Sequence, residues 1–165
     1  MLEYLYGHNE AVAQFAAQLI PAFRGRGFER NARAIGVLKD GVLIAGVVYH
    51  NYDPVAEIIE ISGAALPGHY WLTRDTIRRQ YQYPFLQLGC QMVFQRNSAR
   101  DERLLGMLAA YDYTLIRVPR MLGRDHDGVI ATLTYEDWCN NRFNKRLKHH
   151  LPPEQLDERR TEYAA

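Results

Sequence analysis

Ala56-Glu57-Ile58-Ile59-Glu60-Ile61-Ser62-Gly63-Ala64, continued by Ala65-Leu66-Pro67-Gly68-His69-Tyr70 and by the run from Thr73 to Arg79, decides the fold. The first nine residues are rich in β-branched and apolar side chains, which predicts a strand. Pro67-Gly68 punctuates it as a loop. Thr73 suits a helix cap, and Asp75 complements the dipole of the first turn. A strand emptying into a helix leaves unpaired N–H groups and the positive end of a dipole facing one spot. Such a spot suits a phosphate or another anion.

Upstream, Ala32–Lys39 and Val42–Asn51 flank Asp40-Gly41, a strong hairpin signal. Asn51-Tyr52-Asp53-Pro54 then turns the chain into the quoted strand, so three consecutive antiparallel strands are expected. Before them, Asn9 is placed to cap a helix running to Ile20, with Val12, Phe15, Ala16, Leu19 and Ile20 on one face and Pro21 ending it. Pro21–Asn31 reads as a short helix or loop. Downstream, Pro84 ends or kinks the helix that begins near Thr73, and Gly89 precedes a strand at Cys90–Arg96. Asn97 or Ser98 is placed to cap a helix whose stripe is Leu104, Leu105, Leu108 and Tyr111. Tyr113–Val118 and Val129–Thr134 read as strands around the turn Gly123–Gly128. A last helix from Tyr135 collects Arg142, Lys145, Arg146 and Lys148 before Pro152-Pro153 breaks it. This order predicts an α+β fold: a mixed, mostly antiparallel sheet flanked by helices on both faces. One domain over residues 1–150 and a charged tail over 151–165 are expected.

A formal net charge of +1 gives no general attraction to nucleic acid or to anionic lipid, so neither is expected as a partner. Cys90 and Cys139 have no framework spacing, which points to a reduced, cytoplasmic setting. No targeting segment or membrane span is expected. His126 stands between Asp125 and Asp127, but one tight turn without a further ligand reads as solvated, and no metal is expected. Arg24-Gly25-Arg26-Gly27 has phosphate-loop composition, yet lies before the hairpin and reads as a basic turn. Pairing of edge strands into a homodimer would fit the sheet.

The element order, together with Gln91-Met92-Val93-Phe94-Gln95-Arg96-Asn97, Arg103-Leu104-Leu105, Asp127-Gly128 and Tyr135-Glu136-Asp137-Trp138, resembles the GNAT (GCN5-related N-acetyltransferase) superfamily. Tyr83-Pro84-Phe85 adds a likeness to its phage- and prophage-encoded members. The resemblance spans Ala32–Trp138. It implies that acetyl-CoA, or another acyl-CoA, is the co-substrate and that an amine on a small molecule or protein is the acceptor. The pantetheine arm would pair with the fourth strand at Ile61, Ser62, Gly63 and Ala64. The pyrophosphate would sit on Gly68, His69, Tyr70, Trp71, Leu72, Thr73 and Arg74. Asn97 would add a contact to the cofactor.

For chemistry, the resemblance offers Glu57 as the base that takes the amine proton, with Glu60 as a competitor on the opposite face of the strand. It offers Tyr111 or Tyr113 as the acid toward the leaving thiolate. Two departures from the family pattern stand out. Tyr70-Trp71-Leu72-Thr73 replaces a glycine-rich phosphate loop, and Leu104 occupies the position where catalytic members carry a tyrosine. They keep open a second expectation, a GNAT-fold module that binds or builds without catalysis, in a phage particle or a regulatory assembly.

Overall fold

The closeness of one helix to one hairpin shapes the first half of the chain. Helix α1 (Asn9–Leu19) buries Val12, Ala13, Ala16 and Ala17. Val12 lies over two glycines: a Cβ built on Gly36 would stand 3.0 Å from Val12 Cγ2, and one on Gly46 would stand 3.0 Å from Val12 Cγ1. Gly36 belongs to β2 (Arg33–Lys39) and Gly46 to β3 (Val42–Asp53), and the two residues are direct partners in the antiparallel register. The missing side chains create the groove in which α1 lies. Ala32, Ala34 and Val48 complete the cluster with Val12, Ala13 and Ala16.

This computed structural model describes residues 1–144. The expectations for Lys145, Arg146, Lys148, Pro152-Pro153 and the tail 151–165 lie outside the described residues. The chain divides into two compact units, Met1–Tyr52 with Glu60–Tyr83, and Asp53–Ile59 with the chain from Pro84 onward. The architecture is a mixed α+β fold whose seven-stranded sheet is mostly antiparallel.

In the first unit the strand order is β1-β2-β3-β4, where β1 is Leu2–Leu5 and β4 is Ile58–Ala65. Sequence reading missed β1, a four-residue strand too short to show a period. Its register on β2 runs Leu2↔Lys39 to Leu5↔Gly36. Its aromatic residues are held by α2 (Arg74–Gln82): Tyr4 Oη lies 2.9 Å from Thr76 Oγ1, and the Arg79 guanidinium stacks 4.3 Å over the Tyr4 ring while donating to Tyr6 Oη. The expected cap at Asn9 is corrected too. His8 holds the cap position, and Asn9 Oδ1 instead accepts the N–H of Ala34 at 2.8 Å, fastening α1 to β2.

The quoted strand is shorter than expected. Ala56 and Glu57 lie in the turn before β4, and Glu57 adopts a left-handed backbone with φ 59. Pro84 kinks the chain rather than stopping it, since Tyr83–Gln87 continues α2 as a π-helical turn.

The second unit has strand order β5-β7-β6, with β5 (Met92–Ser98), β6 (Thr114–Gly123) and β7 (His126–Thr134). Cys90 is buried just ahead of β5, not within it. Asp101, not Asn97 or Ser98, caps α3 (Glu102–Ala110): its side chain accepts the Leu104 N–H at 3.1 Å. Asp127-Gly128 lies within β7, and the chain reverses at Arg124-Asp125 instead. Asp127 there accepts from Arg117 Nε and from the Arg120 N–H. The last helix ends early: α4 is Tyr135–Asn140, so Arg142 lies beyond it.

Two predictions follow from this packing. Gly46→Ala is expected to cost about 1–3 kcal/mol, because Val12 Cγ1 and the Val12 carbonyl leave no room for a methyl group. A lower urea midpoint with unchanged slope would register it. Asp75, hydrogen-bonded to Arg79 and paired with Arg78, has a pKa held below the usual carboxylate value. A depressed folded-state pKa adds stability above the ordinary carboxylate range and loses it as pH falls through the folded value. Asp75→Asn is therefore expected to lower Tm slightly at about pH 7, by less than about 1 kcal/mol for so exposed a pair. The gap to the parent should close as the melts are taken to pH values below the folded-state pKa of Asp75.

Candidate functional site

Strand alternation sends Glu60, Ser62 and Ala64 of β4 to one face and Ile59, Ile61 and Gly63 to the other. Ile61 is buried, Ser62 and Ala64 are half-buried, and Gly63 is exposed. Ala64 packs on the α1 cluster. On the opposite side, a Cβ at Gly63 would stand 3.6 Å from Trp71 Cη2, so the indole lies against the strand where no side chain intervenes. Trp71 belongs to the cluster formed by Val37, Ile44 and Ala45. The bulkiest residue of the loop is thus turned toward the core.

The loop after β4 is set by short contacts. Leu66 N–H donates to the Ile44 carbonyl at 2.8 Å, and Gly68 turns the chain with φ +80, a backbone that a side chain would strain. His69 and Tyr70 are exposed. Thr73 caps α2 as expected: its Oγ1 accepts the Thr76 N–H at 3.1 Å, while Thr76 Oγ1 donates to the Trp71 carbonyl at 2.7 Å. The N–H groups of Arg74 and Asp75 have no intrahelical acceptor by helix geometry. Asp75 would repel an anion here, but its carboxylate is spent on Arg78 and Arg79 at 2.8 and 2.9 Å. Arg74 is exposed at the same end. The passage from Ile61 to Arg74 therefore lies within one unit and offers a glycine turn, a capped helix start and a cation. Arg24-Gly25-Arg26-Gly27 is a turn with both glycines left-handed; Arg24 Nε donates to the Gln18 carbonyl, and Arg26 stacks over Phe23.

The same unit holds a polar cluster that sequence reading did not assemble. Ser62 Oγ lies 2.8 Å from His50 Nε2, and His50 Nδ1 lies 3.8 Å from Glu60 Oε2. Asn51 Nδ2 donates to that same Glu60 oxygen at 2.7 Å. Only 2% of the His50 surface and 1% of the Glu60 surface is exposed. The signal was present in two otherwise apolar strands: His50-Asn51 at the end of β3, and Glu60 and Ser62 two residues apart on β4.

The remaining candidates lie in the second unit. Glu57 is half-buried in its turn, where its carbonyl accepts the Gln91 N–H at 2.8 Å. Tyr111 is buried, which pushes its phenol above the usual range, and its ring stacks on Phe143. Tyr113 Oη accepts from Gln95 Nε2 at 3.0 Å. Asn97, relieved of the capping role, keeps a buried amide nitrogen, Nδ2, with no hydrogen-bond partner among the described residues. His126 Nε2 lies 2.6 Å from Ser98 Oγ, and no group of three or more potential metal ligands occurs among the described residues. No described helix is long and apolar enough to cross a membrane.

No protein-family model matches the chain, and no curated protein matches its sequence. Solved structures do match by shape. The manganese-bound spermidine/spermine N-acetyltransferase SpeG of Vibrio cholerae aligns over 85% of this chain and 95% of its own, with TM-score 0.66 and 13% identity. The dodecameric spermidine N-acetyltransferase of Vibrio cholerae, in an intermediate state, aligns over 68% and 70%, with TM-score 0.60 and 15% identity. A protein described as a probable acetyltransferase aligns over 66% and 65%, with TM-score 0.57 and 21% identity. At such identities the likeness speaks for architecture alone: this chain shares the fold of these solved acetyltransferases.

Proposed function

We propose that the protein is an N-acyltransferase that moves an acyl group, with acetyl-CoA as its donor, to an amine in a ternary complex. The observation that carries this reading is the passage from Ile61 to Arg74. A strand with exposed Gly63 runs through the Gly68 turn into the capped start of α2, and Trp71 is tucked against the core rather than across the turn. The absent glycine-rich loop therefore does not require a blocked one. Arg74 and the N–H groups of Arg74 and Asp75 are the proposed pyrophosphate contacts, with Gly68, His69, Tyr70, Leu72 and Thr73 shaping the loop around them. Ile61, Ser62, Gly63 and Ala64 are the proposed seat of the pantetheine arm.

In this reading the amine nitrogen attacks the thioester carbonyl, the C–N bond forms, the C–S bond breaks, and CoA leaves as its thiol. Placement supplies much of the rate, and proton traffic the rest. Glu57 is the acceptor suggested by family resemblance; a competing acceptor is argued below. Amines of the polyamine class head the acceptor list, because the matched solved structures include spermidine N-acetyltransferases.

Calorimetric titration tests the proposal first. Acetyl-CoA and free CoA are expected to bind with similar micromolar Kd, and ATP at the same concentrations to give no heat. Arg74→Ala should raise the acetyl-CoA Kd about tenfold, the low end for losing one charge-assisted contact. Thiol release is then followed with spermidine, an arylalkylamine and a lysine peptide as acceptors. No acetyl-CoA binding up to millimolar ligand would refute the reading and leave a non-catalytic module in its place.

A further inference from the structure

We propose that Ser62, backed by His50 and Glu60, accepts the proton of the attacking amine. The inference rests on the acyltransferase reading above and names a component of that same site. Its basis is a row of three groups with a half-buried outer end and a buried inner end. Ser62 Oγ stands 2.8 Å from His50 Nε2, and His50 Nδ1 stands 3.8 Å from Glu60 Oε2. The first distance is a hydrogen bond; the second is in ion-pair range and suits stabilisation of an imidazolium that forms transiently. Asn51 Nδ2 holds Glu60 Oε2 at 2.7 Å.

The surroundings fix the imidazole. Phe23 and Phe28 stack at 4.0 Å and meet the His50 ring edge-on at 5.3 and 4.8 Å. Glu29 Oε1, on the segment carrying Phe28, accepts the Asn51 N–H at 2.6 Å, so a second carboxylate beside Glu60 stands one residue from His50. Nonpolar residues of similar volume would generally fill such a space at no cost in stability, so a buried acid and imidazole are retained at some expense. Ser62 is their one member with partial exposure, and it adjoins Gly63 on the strand proposed to hold the donor.

The step balances without a further reactant. As the amine nitrogen bonds to the acyl carbon, its proton passes to Ser62 Oγ while the Ser62 hydroxyl proton passes to His50 Nε2. The imidazolium stands beside Glu60 until the proton returns through Ser62 to solvent or to the CoA thiolate. Ser62 is the catalytic residue in this scheme, and His50 and Glu60 act through it.

The scheme requires that resting His50 carry its proton on Nδ1, leaving Nε2 free to accept. Two-bond proton–nitrogen correlation spectra of the full chain read this directly, with the His50 signals assigned by their loss in His50→Gln. An unprotonated Nε2 whose shift moves in Ser62→Ala is expected. A protonated Nε2, in the neutral or doubly protonated ring, would overturn the relay. Kinetics supply the second arm, with acetyl-CoA and spermidine as probes. Ser62→Ala is expected to lower kcat about 100-fold, the scale of one general base, while leaving the acetyl-CoA Kd unchanged. Ser62→Thr, which keeps the hydroxyl, should restore most of the rate. Wild-type kcat in Ser62→Ala, or loss confined to Glu57→Gln, would sink the relay while the acyltransferase reading stood. An acetyl adduct on Ser62 by intact mass would also overturn it, by making Ser62 the nucleophile. If the parent protein neither binds acetyl-CoA nor acetylates any amine, the broader reading falls and takes the relay with it.

Discussion

Burying the Glu60 carboxyl group is the constraint around which much of the first unit is arranged. A carboxyl group 1% exposed must find partners inside the fold or destabilise it by several kcal/mol, on the order of the protein's whole margin. Asn51 Nδ2 and the His50 ring meet that demand from the end of β3. To do so, Asn51 takes a left-handed backbone with φ 52, which asparagine tolerates better than most residues. Its N–H is then directed to Glu29, and Phe23 and Phe28 close over His50. One polar requirement on β4 thus specifies the end of β3 and the path of the segment from Phe23 to Glu29.

The contrast with α1 is instructive. There the governing term is steric: Gly36 and Gly46 remove two side chains, and Val12 occupies the space. Dispersion at that contact rewards closeness but not any particular chemistry. The Glu60 cluster rewards only matched donors and acceptors. A helix and two strands can be placed by the first kind of contact, whereas the orientation of one imidazole ring needs the second.

That difference also explains what was legible beforehand. The element order from α1 onward, the Asp40-Gly41 hairpin, the Thr73 cap and the α+β class are local properties, written in period, turn chemistry and propensity, and they were read correctly. Failures came where a distant partner decides. Leu2–Leu5 is a strand because β2 offers it an edge and α2 holds Tyr4 and Tyr6. Asn9 forgoes its cap because the Ala34 N–H lies within reach. Glu57 leaves the expected strand because a left-handed turn precedes β4. In the candidate site, the run from Ile61 to Arg74 was visible because it is continuous, while His50 and Ser62, twelve residues apart, meet only through strand alignment.

The Trp71 position bears on how the proposed phosphate site could do without loop glycines. Family-type loops use glycine so that the backbone can approach an anion closely. Here Trp71 turns inward, against Gly63 of the strand and the apolar surface of Val37, Ile44 and Ala45. Such packing of a loop residue on the strand before it is invisible to any pattern that reads the loop alone, and it fits a chain whose likeness to solved acetyltransferases is plain in shape while sequence identity stays between 13% and 21%.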